Sequence, residues 1–193
     1  MTAWDLQPTL VGPGVRLEPL GLHHTDGLLA AADDDAVFTW LSVARPADSG
    51  DARAIVDRYT SAAELYPFAI LTATGEVAGM TCFYDVDETL QTVTIGHTWI
   101  GRRHWRTGLN RAAKTALLTH AFGPLGCVRV VWHVDHLNER SQAAMTALGA
   151  TREGVLRKHK RRRDGSWRDT VVFSMLDTEW TGSLPANRTP PTR

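Results

Sequence analysis

Residues 99–110 constrain the fold most strongly, because here a basic turn joins two kinds of secondary structure. The β-branched run 91–100 predicts a strand, and the apolar periodicity of 108–122 predicts a helix. The first turn of a helix presents unpaired backbone N–H groups at the positive end of the helix dipole, which attracts phosphate groups. Arg103 and Arg106 add positive charge to this turn. The sequence therefore predicts a strand, an anion-binding turn and a helix in direct succession.

A second polar cluster, Asn138-Glu139-Arg140-Ser141, follows about 30 residues later. It precedes apolar periodicity, which is typical of a helix start, and predicts a helix over 138–148. Gly149 suits the end of this helix, because glycine readily adopts the left-handed conformation common there. Ser141 lies one helical turn after Asn138, so we expect the two side chains to share a face.

The remaining pattern predicts alternating strands and helices. We expect helices over roughly 24–41 and 50–66, an extended arm over 1–14, and strands over 15–20, 67–72, 77–84, 127–134, 151–159 and 169–176. This order predicts an α/β domain with a mixed sheet of about seven mostly antiparallel strands and helices on both faces. We expect the domain to span 1–180 and a proline-containing tail, 181–193, to be disordered.

The composition excludes several classes of protein. An apolar fraction of 43% and a charged fraction of 22% are ordinary for a soluble globular domain, and the net charge of zero gives no general attraction to nucleic acid or membranes. We find no signal peptide pattern and no apolar run of about 20 residues, so we expect a cytoplasmic protein. Cys82 and Cys127 lie in separate strand-like runs, which predicts two reduced core thiols.

Taken together, these motifs resemble the GNAT superfamily of acyl-CoA N-acyltransferases, and most of all its RimJ/RimL-like group. The resemblance is strongest over residues 90–176. It rests on the segments His97-Thr98-Trp99, Arg106-Thr107-Gly108, Asn138-Glu139-Arg140-Ser141, Leu148-Gly149-Ala150 and Arg152-Glu153-Gly154. It implies a GNAT fold with a splayed central pair of strands, acetyl-CoA or another acyl-CoA as co-substrate, an amine acceptor and no metal. A homodimer is compatible with this resemblance.

The family's pyrophosphate loop usually reads Gln/Arg-x-x-Gly-x-Gly/Ala. Arg103 and Gly108 fit its ends, whereas Arg106 replaces the middle glycine. Because positive φ is easy only for glycine, we expect Arg106 to keep ordinary backbone angles and to turn its guanidinium toward phosphates or solvent. The alternative is a plain strand-to-helix turn with solvated arginines. The resemblance assigns cofactor binding to Trp99, Ile100, Arg103, Arg106, Thr107, Gly108, Leu109, Asn110 and Asn138.

The resemblance also implies catalytic residues in the second motif. In the family, an asparagine here binds the pantetheine arm, and many members place a tyrosine deeper in the helix to protonate the departing thiolate. No tyrosine occurs between Asn138 and Gly149, so Ser141 is the candidate acid. The alternative for Ser141 is a structural role in capping the helix start.

A strong general base is missing from the sequence pattern. Family members often supply a glutamate from the strand before the loop, but residues 91–99 contain no carboxylate. His97 is the candidate base, and the alternative is a neutral histidine hydrogen-bonded within the sheet. At pH 7 an α-amino group of pKa ~7.8 is about 14% uncharged, whereas lysine is about 0.04% uncharged. The missing base therefore favours an α-amino group or another weakly basic amine over an unperturbed lysine.

Two other clusters allow several interpretations. The basic run 157–163 predicts a solvated face, with an acidic substrate, a CoA phosphate or RNA as alternative partners. His133, Asp135 and His136 could suggest a metal site, but strand alternation separates their side chains, so we expect none.

The sequence therefore predicts an acyl-CoA-dependent N-acyltransferase acting on a primary amine, such as a protein N-terminus. One alternative is an acetyltransferase for small amines such as antibiotics. Another is a non-catalytic acyl-CoA-binding regulator, and a third is a nucleic-acid-binding module built on the basic hairpin, although we do not expect nucleic acid as a partner.

Overall fold

The computed structural model describes residues 4–182, so positions 183–193 of the predicted tail lie outside the described residues. The helices are α1 (Thr25–Ala31), α2 (Ser49–Thr60), α3 (Leu109–Phe122) and α4 (Glu139–Leu148). The strands are β1 (Leu10–Gly12), β2 (Val15–Pro19), β3 (Tyr66–Thr72), β4 (Val77–Asp87), β5 (Thr92–Ile100), β6 (Arg129–Asp135), β7 (Thr151–Arg161) and β8 (Trp167–Leu176).

The strands form one sheet in the order β1-β2-β3-β4-β5-β6-β8-β7. Only the β5–β6 pair is parallel among the described strands, which confirms a mixed, mostly antiparallel sheet. The sheet has eight strands instead of about seven. The additional strand is β1, which lies in the predicted extended arm and pairs Leu10 with Leu17, burying both side chains.

Helices cover both faces of the sheet, as predicted. The first two pack on one face, where Leu28 and Val56 share a buried cluster with Met80. The last two pack on the other face, where Leu117 and Met145 join a larger cluster. Cys82 and Cys127 are buried and unbridged, which confirms the prediction of core thiols.

The predicted helix over 24–41 is wrong, because α1 already ends at Ala31. The aspartates that follow have partners outside a helix. The Asp33 carboxylate accepts hydrogen bonds from the N–H groups of Arg102 and Arg103, and Asp34 accepts one from Ala36. Aspartates are also unfavourable at the negative end of a helix dipole. The second helix is shorter than predicted, beginning at Ser49 after the Asp48 cap and ending at Thr60.

The central strands β5 and β6 diverge, which confirms the predicted splayed pair. They pair only from Thr92 to Thr94. A β-bulge follows in β5, where both His97 and Thr98 lie opposite Thr81, and His97 has a φ of 53°. A bulge bends its strand and increases the local twist, so it directs the end of β5 away from β6. The side of β5 that faces β6 is consequently left without a strand partner after Thr94.

An ion pair fastens the edge strand β7 to β6 across β8. Arg129 Nη1 and Nη2 lie 2.5 and 2.6 Å from the two Glu153 carboxylate oxygens, and Ser174 donates a third hydrogen bond at 2.8 Å. The hydrogen bonds from Arg129 lower the pKa of Glu153 from its ordinary 4.5 to about 2. Glu153 of the Arg-Glu-Gly segment therefore adds a side-chain link between β7 and β6 to the backbone pairing of both strands with β8.

Glu153→Gln should lower the free energy of unfolding by about 1 kcal/mol at pH 7, since the carboxylate is partly exposed and bidentate pairing is stronger than an ordinary surface pair. A carboxylate with a lowered native pKa stabilises the fold above pH 4.5 and loses this effect as the pH falls toward 2. Urea unfolding of both proteins at pH 7 and pH 3 should therefore show a smaller difference at pH 3. An equal difference at both pH values would contradict a role for the charge.

Candidate active site

A cavity of about 240 Å³ opens where β5 and β6 diverge, and it connects the two faces of the sheet. We call one side the helical wall, formed by Lys114, Trp132, Asn138, Ser141 and Met145. We call the other side the basic wall, formed by Tyr84, His97, His133, Lys160, Arg161, Arg162, Arg163 and Arg168. The cavity thus brings together His97, Asn138 and Ser141, which the sequence analysis selected from separate segments.

The turn before α3 has an unusual backbone. Arg106 has a φ of 64° and Gly108 a φ of 89°, so both are left-handed. The expectation that Arg106 keeps ordinary angles is therefore wrong. Its neighbours hold the turn, since Thr107 Oγ1 donates to the His104 carbonyl and Trp105 Nε1 donates to the Ile100 carbonyl, both at 2.8 Å. Such contacts can maintain a conformation that costs about 1–3 kcal/mol.

This turn leaves several backbone donors available. Within residues 4–182, the N–H groups of Arg106, Thr107, Gly108 and Asn110 have no hydrogen-bond acceptor, whereas Leu109 N–H reaches Thr107 Oγ1 at 3.4 Å. Left-handed residues beside a helix start turn successive N–H groups into a concave anion-binding surface. The turn can therefore bind a phosphate group through its backbone.

The arginines of the turn differ in their partners. Arg103 forms an ion pair with Glu76 at 3.0 Å, and Arg102 forms one with Asp34 at 2.6 Å. Arg106 is exposed, and its guanidinium has no ion-pair partner in the part of the chain that the structure describes. Asp33 and Asp34 thus hold the turn, a role that sequence reasoning missed although both belong to one conspicuous acidic run. Among these three arginines, Arg106 is therefore the one whose guanidinium is available to bind an anion.

The two tryptophans beside the turn are already packed. Trp99 is 4% exposed, and its ring lies 5.0 Å from Phe38 in the core. Neither Trp99 nor Ile100 lines the cavity among the described residues, so only their backbone on the unpaired side of β5 is suited to a ligand. Arg140 stacks 3.6 Å above the Trp105 ring and thereby links the turn to α4.

Asn138 and Ser141 have separate tasks at the start of α4. Asn138 Oδ1 accepts the Ser141 N–H at 3.1 Å, so Asn138 is the N-cap, and the capping alternative for Ser141 is wrong. The Ser141 hydroxyl is half-buried in the cavity wall and has no hydrogen-bond partner within residues 4–182. The Asn138 side-chain amide and the Ser141 hydroxyl are therefore both able to donate to a ligand.

Lys114 is a site residue that sequence reasoning missed. It lies one position after Ala113 in α3, is 6% exposed and lines the cavity. Its Nζ donates to Asn110 Oδ1 at 2.7 Å, and burial lowers its pKa to about 8. The signal in the sequence was a lysine among the apolar positions of the predicted helix.

His97 is held neutral. Its Nδ1 lies 3.1 Å from the Tyr59 hydroxyl of α2, so its partner is outside the sheet, unlike in the predicted alternative. Burial and then the nearby Lys160 charge lower its pKa to about 4. A histidine with this pKa binds an abstracted proton only weakly. The candidate base is therefore a poor one at neutral pH.

The predicted solvated face over 157–163 is confirmed for every residue except Arg162, which is half-buried. Arg162 binds both carboxylate oxygens of Asp135 at 2.7 and 2.9 Å, and Arg163 donates to the Val43 carbonyl at 2.5 Å. Lys160 and Arg161 also line the cavity, whereas Arg157 does not. A hairpin therefore turns part of its charge toward the site.

The candidate metal ligands are already engaged. Asp135 is bound to Arg162, and its Oδ1 lies 3.5 Å from His136 Nδ1. His133 packs against Tyr84 and His159 instead, so the three residues do not form a ligand group among the described residues. A different group, Glu18, His23 and His24, has ligand atoms within 4.8 Å of one another. His24 bonds Glu18 and accepts the Gly21 N–H, and Arg16 neutralises Glu18. Hydrogen bonds and an ion pair account for this group without a cation.

The sheet is split by a central gap, and a basic turn with free backbone N–H groups precedes α3. A family model for the acetyltransferase (GNAT) domain matches residues 15–151, which is more than half of the chain. The chain therefore belongs to the GNAT acetyltransferase family.

Solved structures and a curated relative agree with this family. A candidate acetyltransferase from T. thermophilus is 39% identical, with a TM-score of 0.85 and coverage of 93% of this chain and 94% of that one. A GCN5-related N-acetyltransferase from Brucella melitensis is 30% identical, with a TM-score of 0.85 and coverage of 93% and 86%. The uncharacterized N-acetyltransferase YoaA of Bacillus subtilis (strain 168) is 29% identical over 103 residues, which span 53% of this chain and only 57% of that relative.

A structure of Mycobacterium smegmatis RimJ in complex with CoA-disulfide shares the fold, with a TM-score of 0.78, 23% identity and coverage of 94% and 91%. Among residues 4–182, no helix is both long and apolar enough to cross a membrane.

Proposed function

We propose that this protein transfers an acetyl group, or a related acyl group, from CoA to the α-amino group of a protein N-terminus or a comparably weak amine. The observation that carries the proposal is the cavity through the sheet. It offers proton donors on its helical wall. Two histidines among the described residues line it: His97 is neutral with a pKa near 4, and burial also lowers the pKa of His133. The cavity's one carboxylate among the described residues, Asp135, is bound by Arg162.

The residues present fit an acyl-CoA. The free N–H groups of Arg106, Thr107, Gly108 and Asn110, together with the Arg106 guanidinium, would bind the pyrophosphate. The unpaired side of β5 at Trp99 and Ile100 and the Asn138 amide would hold the pantetheine arm. Leu109 and Arg103 would support the turn, because one is buried and the other is paired with Glu76. On the helical wall, the buried Trp132 Nε1 has no acceptor within residues 4–182 and is a further donor for a ligand.

When bound, the acyl-CoA supplies a thioester carbonyl that an uncharged amine can attack. The new C–N bond forms as the C–S bond breaks. Ser141 donates its hydroxyl proton to the departing thiolate sulfur. The amine nitrogen releases one proton to solvent, and Ser141 takes up a proton from solvent in turn. Asn138 and the bulged backbone of β5 orient the reacting groups, and His97 lines the acceptor side as a neutral, positioning group.

The first test compares amines at pH 7. Peptides with a free α-amino group should have kcat/KM at least about 10-fold above the same peptides N-terminally blocked but carrying lysine, because their pKa values differ by ~2.6 units. Thiol release from acetyl-CoA measures this, and small amines form a third arm. kcat/KM should rise with pH through the pKa of the acceptor, and His97→Gln should not move this limb. Efficient acylation of lysine at pH 7 would show that a strong base exists.

A second test concerns the turn. Arg106→Ala should weaken acetyl-CoA binding by about 10–100-fold, the size of one charge-assisted hydrogen bond. Arg103→Ala should have a smaller effect, since Arg103 already pairs with Glu76. Calorimetry with acetyl-CoA measures both affinities. Equal affinity for the wild type and the Arg106 variant would remove Arg106 from the binding site.

A further inference from the structure

The basic wall of the cavity concentrates positive charge in a chain whose net charge is zero. The cations that line the cavity beside β7 and β8 are Lys160, Arg161, Arg162, Arg163 and Arg168. Asp135 is the one carboxylate among the described residues that line it. Asp135 is 4% exposed and is bound on both oxygens by Arg162, so it has little capacity to neutralise a second cation.

The other arginines are held by neutral groups. Arg161 donates to the Gly165 carbonyl and Arg163 to the Val43 carbonyl, contacts that fix the side chains without cancelling their charge. Arg168 donates to the His133 carbonyl, and its Nε is 3.9 Å from Asp135, too far for a hydrogen bond. The Arg168 Nε is buried and has no acceptor within residues 4–182.

Lys160 has the fewest polar partners of these cations. Its Nζ lies 5.9 Å from the centre of the Tyr84 ring, and it forms no hydrogen bond or ion pair in the described part of the chain. Tyr84 in turn packs edge-on against His97 at 5.1 Å, which places Lys160 near the bulge on the acceptor side. Asp85 is exposed and lies outside the cavity lining, but it is close enough for its charge to act on Lys160. Among the described residues, Lys160, which is exposed, thus has no carboxylate within ion-pair distance, and Arg168 keeps one N–H without an acceptor although its guanidinium forms an ion pair with Asp135.

We propose that the acceptor is an acidic amine, whose carboxylate or phosphate group binds Lys160 and Arg168 on the basic wall. This inference rests on the proposed function and names its substrate class. Surplus positive charge near the amine favours its uncharged form, because like charges disfavour the ammonium. The cations of the basic wall attract the acidic group of the acceptor, whereas they would repel an acceptor that carries only an ammonium. These positive charges therefore favour an acidic acceptor. They also increase the uncharged fraction of its amine, as a general base would otherwise do.

Four short peptides test the inference. Each carries a free N-terminal alanine, a C-terminal amide and one variable second residue: glutamate, phosphoserine, glutamine or lysine. In thiol-release assays with acetyl-CoA, the glutamate or phosphoserine peptide should exceed the glutamine peptide at least about 10-fold in kcat/KM, mainly through KM, since a charged hydrogen bond is worth this much. The lysine peptide should be the poorest. The ranking of the two acidic peptides identifies the preferred anion.

Three variants assign the effect to Lys160. Lys160→Met should reduce the preference for the acidic peptide over the glutamine peptide to within about threefold, and Lys160→Arg should retain most of it. Arg157→Met removes one charge from the same strand at an exposed position outside the cavity and should leave the preference unchanged. Circular dichroism confirms folding of each variant.

The outcomes separate this inference from the proposed function. Equal kcat/KM for the glutamate and glutamine peptides, with clear thiol release, would overturn the acidic acceptor and leave the transferase standing. An equal loss of preference in the Arg157 and Lys160 variants would overturn the assignment to this wall. Absence of thiol release with all four peptides, in a protein that binds acetyl-CoA, would overturn the proposed function and the inference with it.

Discussion

Replacing Ser141 by alanine should lower kcat by about 10²–10⁴-fold, the usual contribution of general acid catalysis. The hydroxyl lines the cavity and has no partner within residues 4–182, so it is available to a departing thiolate. Its backbone N–H, not its hydroxyl, takes part in the Asn138 cap, and alanine keeps that N–H. The variant should therefore fold and bind acetyl-CoA as the wild type does.

Stopped assays of thiol release give kcat, and calorimetry gives the acetyl-CoA affinity. Thr146→Ala is a matched control in the same helix, because its exposed hydroxyl donates to the Gln142 carbonyl away from the cavity. Asn138→Ala behaves differently again, since loss of the cap should lower stability by ~1 kcal/mol. Full kcat in the Ser141 variant would remove this residue from the chemistry.

Much of the fold is predictable because most elements carry their own local signals. The β-branched run before the turn and the apolar periodicity after it identify β5 and α3 to within a residue or two. The errors in the predicted elements occur where contacts between residues distant in sequence determine whether a strand forms or where a helix ends. The strand β1 has three residues and exists through its pairing with β2, and α1 stops early because Asp33 binds the N–H of Arg102, 69 residues away.

The candidate site is predictable in its location and less so in its conformation. The sequence indicates the turn and the α4 start, but Arg106 departs from the expected backbone because its neighbours fix the turn through Thr107 and Trp105. The basic hairpin has the composition of a solvated face, and tertiary contacts of Arg162 with Asp135 and of Arg163 with the Val43 carbonyl direct these two side chains toward the cavity. Side-chain direction in such runs depends on partners that adjacent residues do not reveal.

Lys114→Met should raise the free energy of unfolding by about 2 kcal/mol at pH 7, because the buried lysine lowers the stability of the wild type. Burial lowers the pKa of Lys114 from 10.5 to about 8, and a shift of this size corresponds to ~3 kcal/mol. Methionine fills similar space without a charge, and the single hydrogen bond to Asn110 that is lost offsets only part of the gain. Urea unfolding of both proteins at pH 7 measures the difference.

The pH dependence identifies the cause. Between pH 8 and 10.5 the unfolded chain binds more protons at this lysine than the folded chain does, so wild-type stability rises with pH there. The advantage of the methionine variant should consequently be full below pH 8 and should vanish above pH 10.5. Lys158→Met, at an exposed position outside the cavity, should leave the free energy of unfolding at pH 7 nearly unchanged.

A buried lysine that lowers stability points to a role in ligand binding, since functional sites are commonly less stable than they could be. Lys114 lines the helical wall with Asn138 and Ser141, and only one of its donors has an acceptor among the described residues. We therefore expect the more stable methionine variant to bind acetyl-CoA about 10-fold more weakly. Calorimetry checks this, and acetyl-CoA should stabilise the wild type more than the variant. A variant that gains stability and keeps full affinity would show that Lys114 does not contact the cofactor.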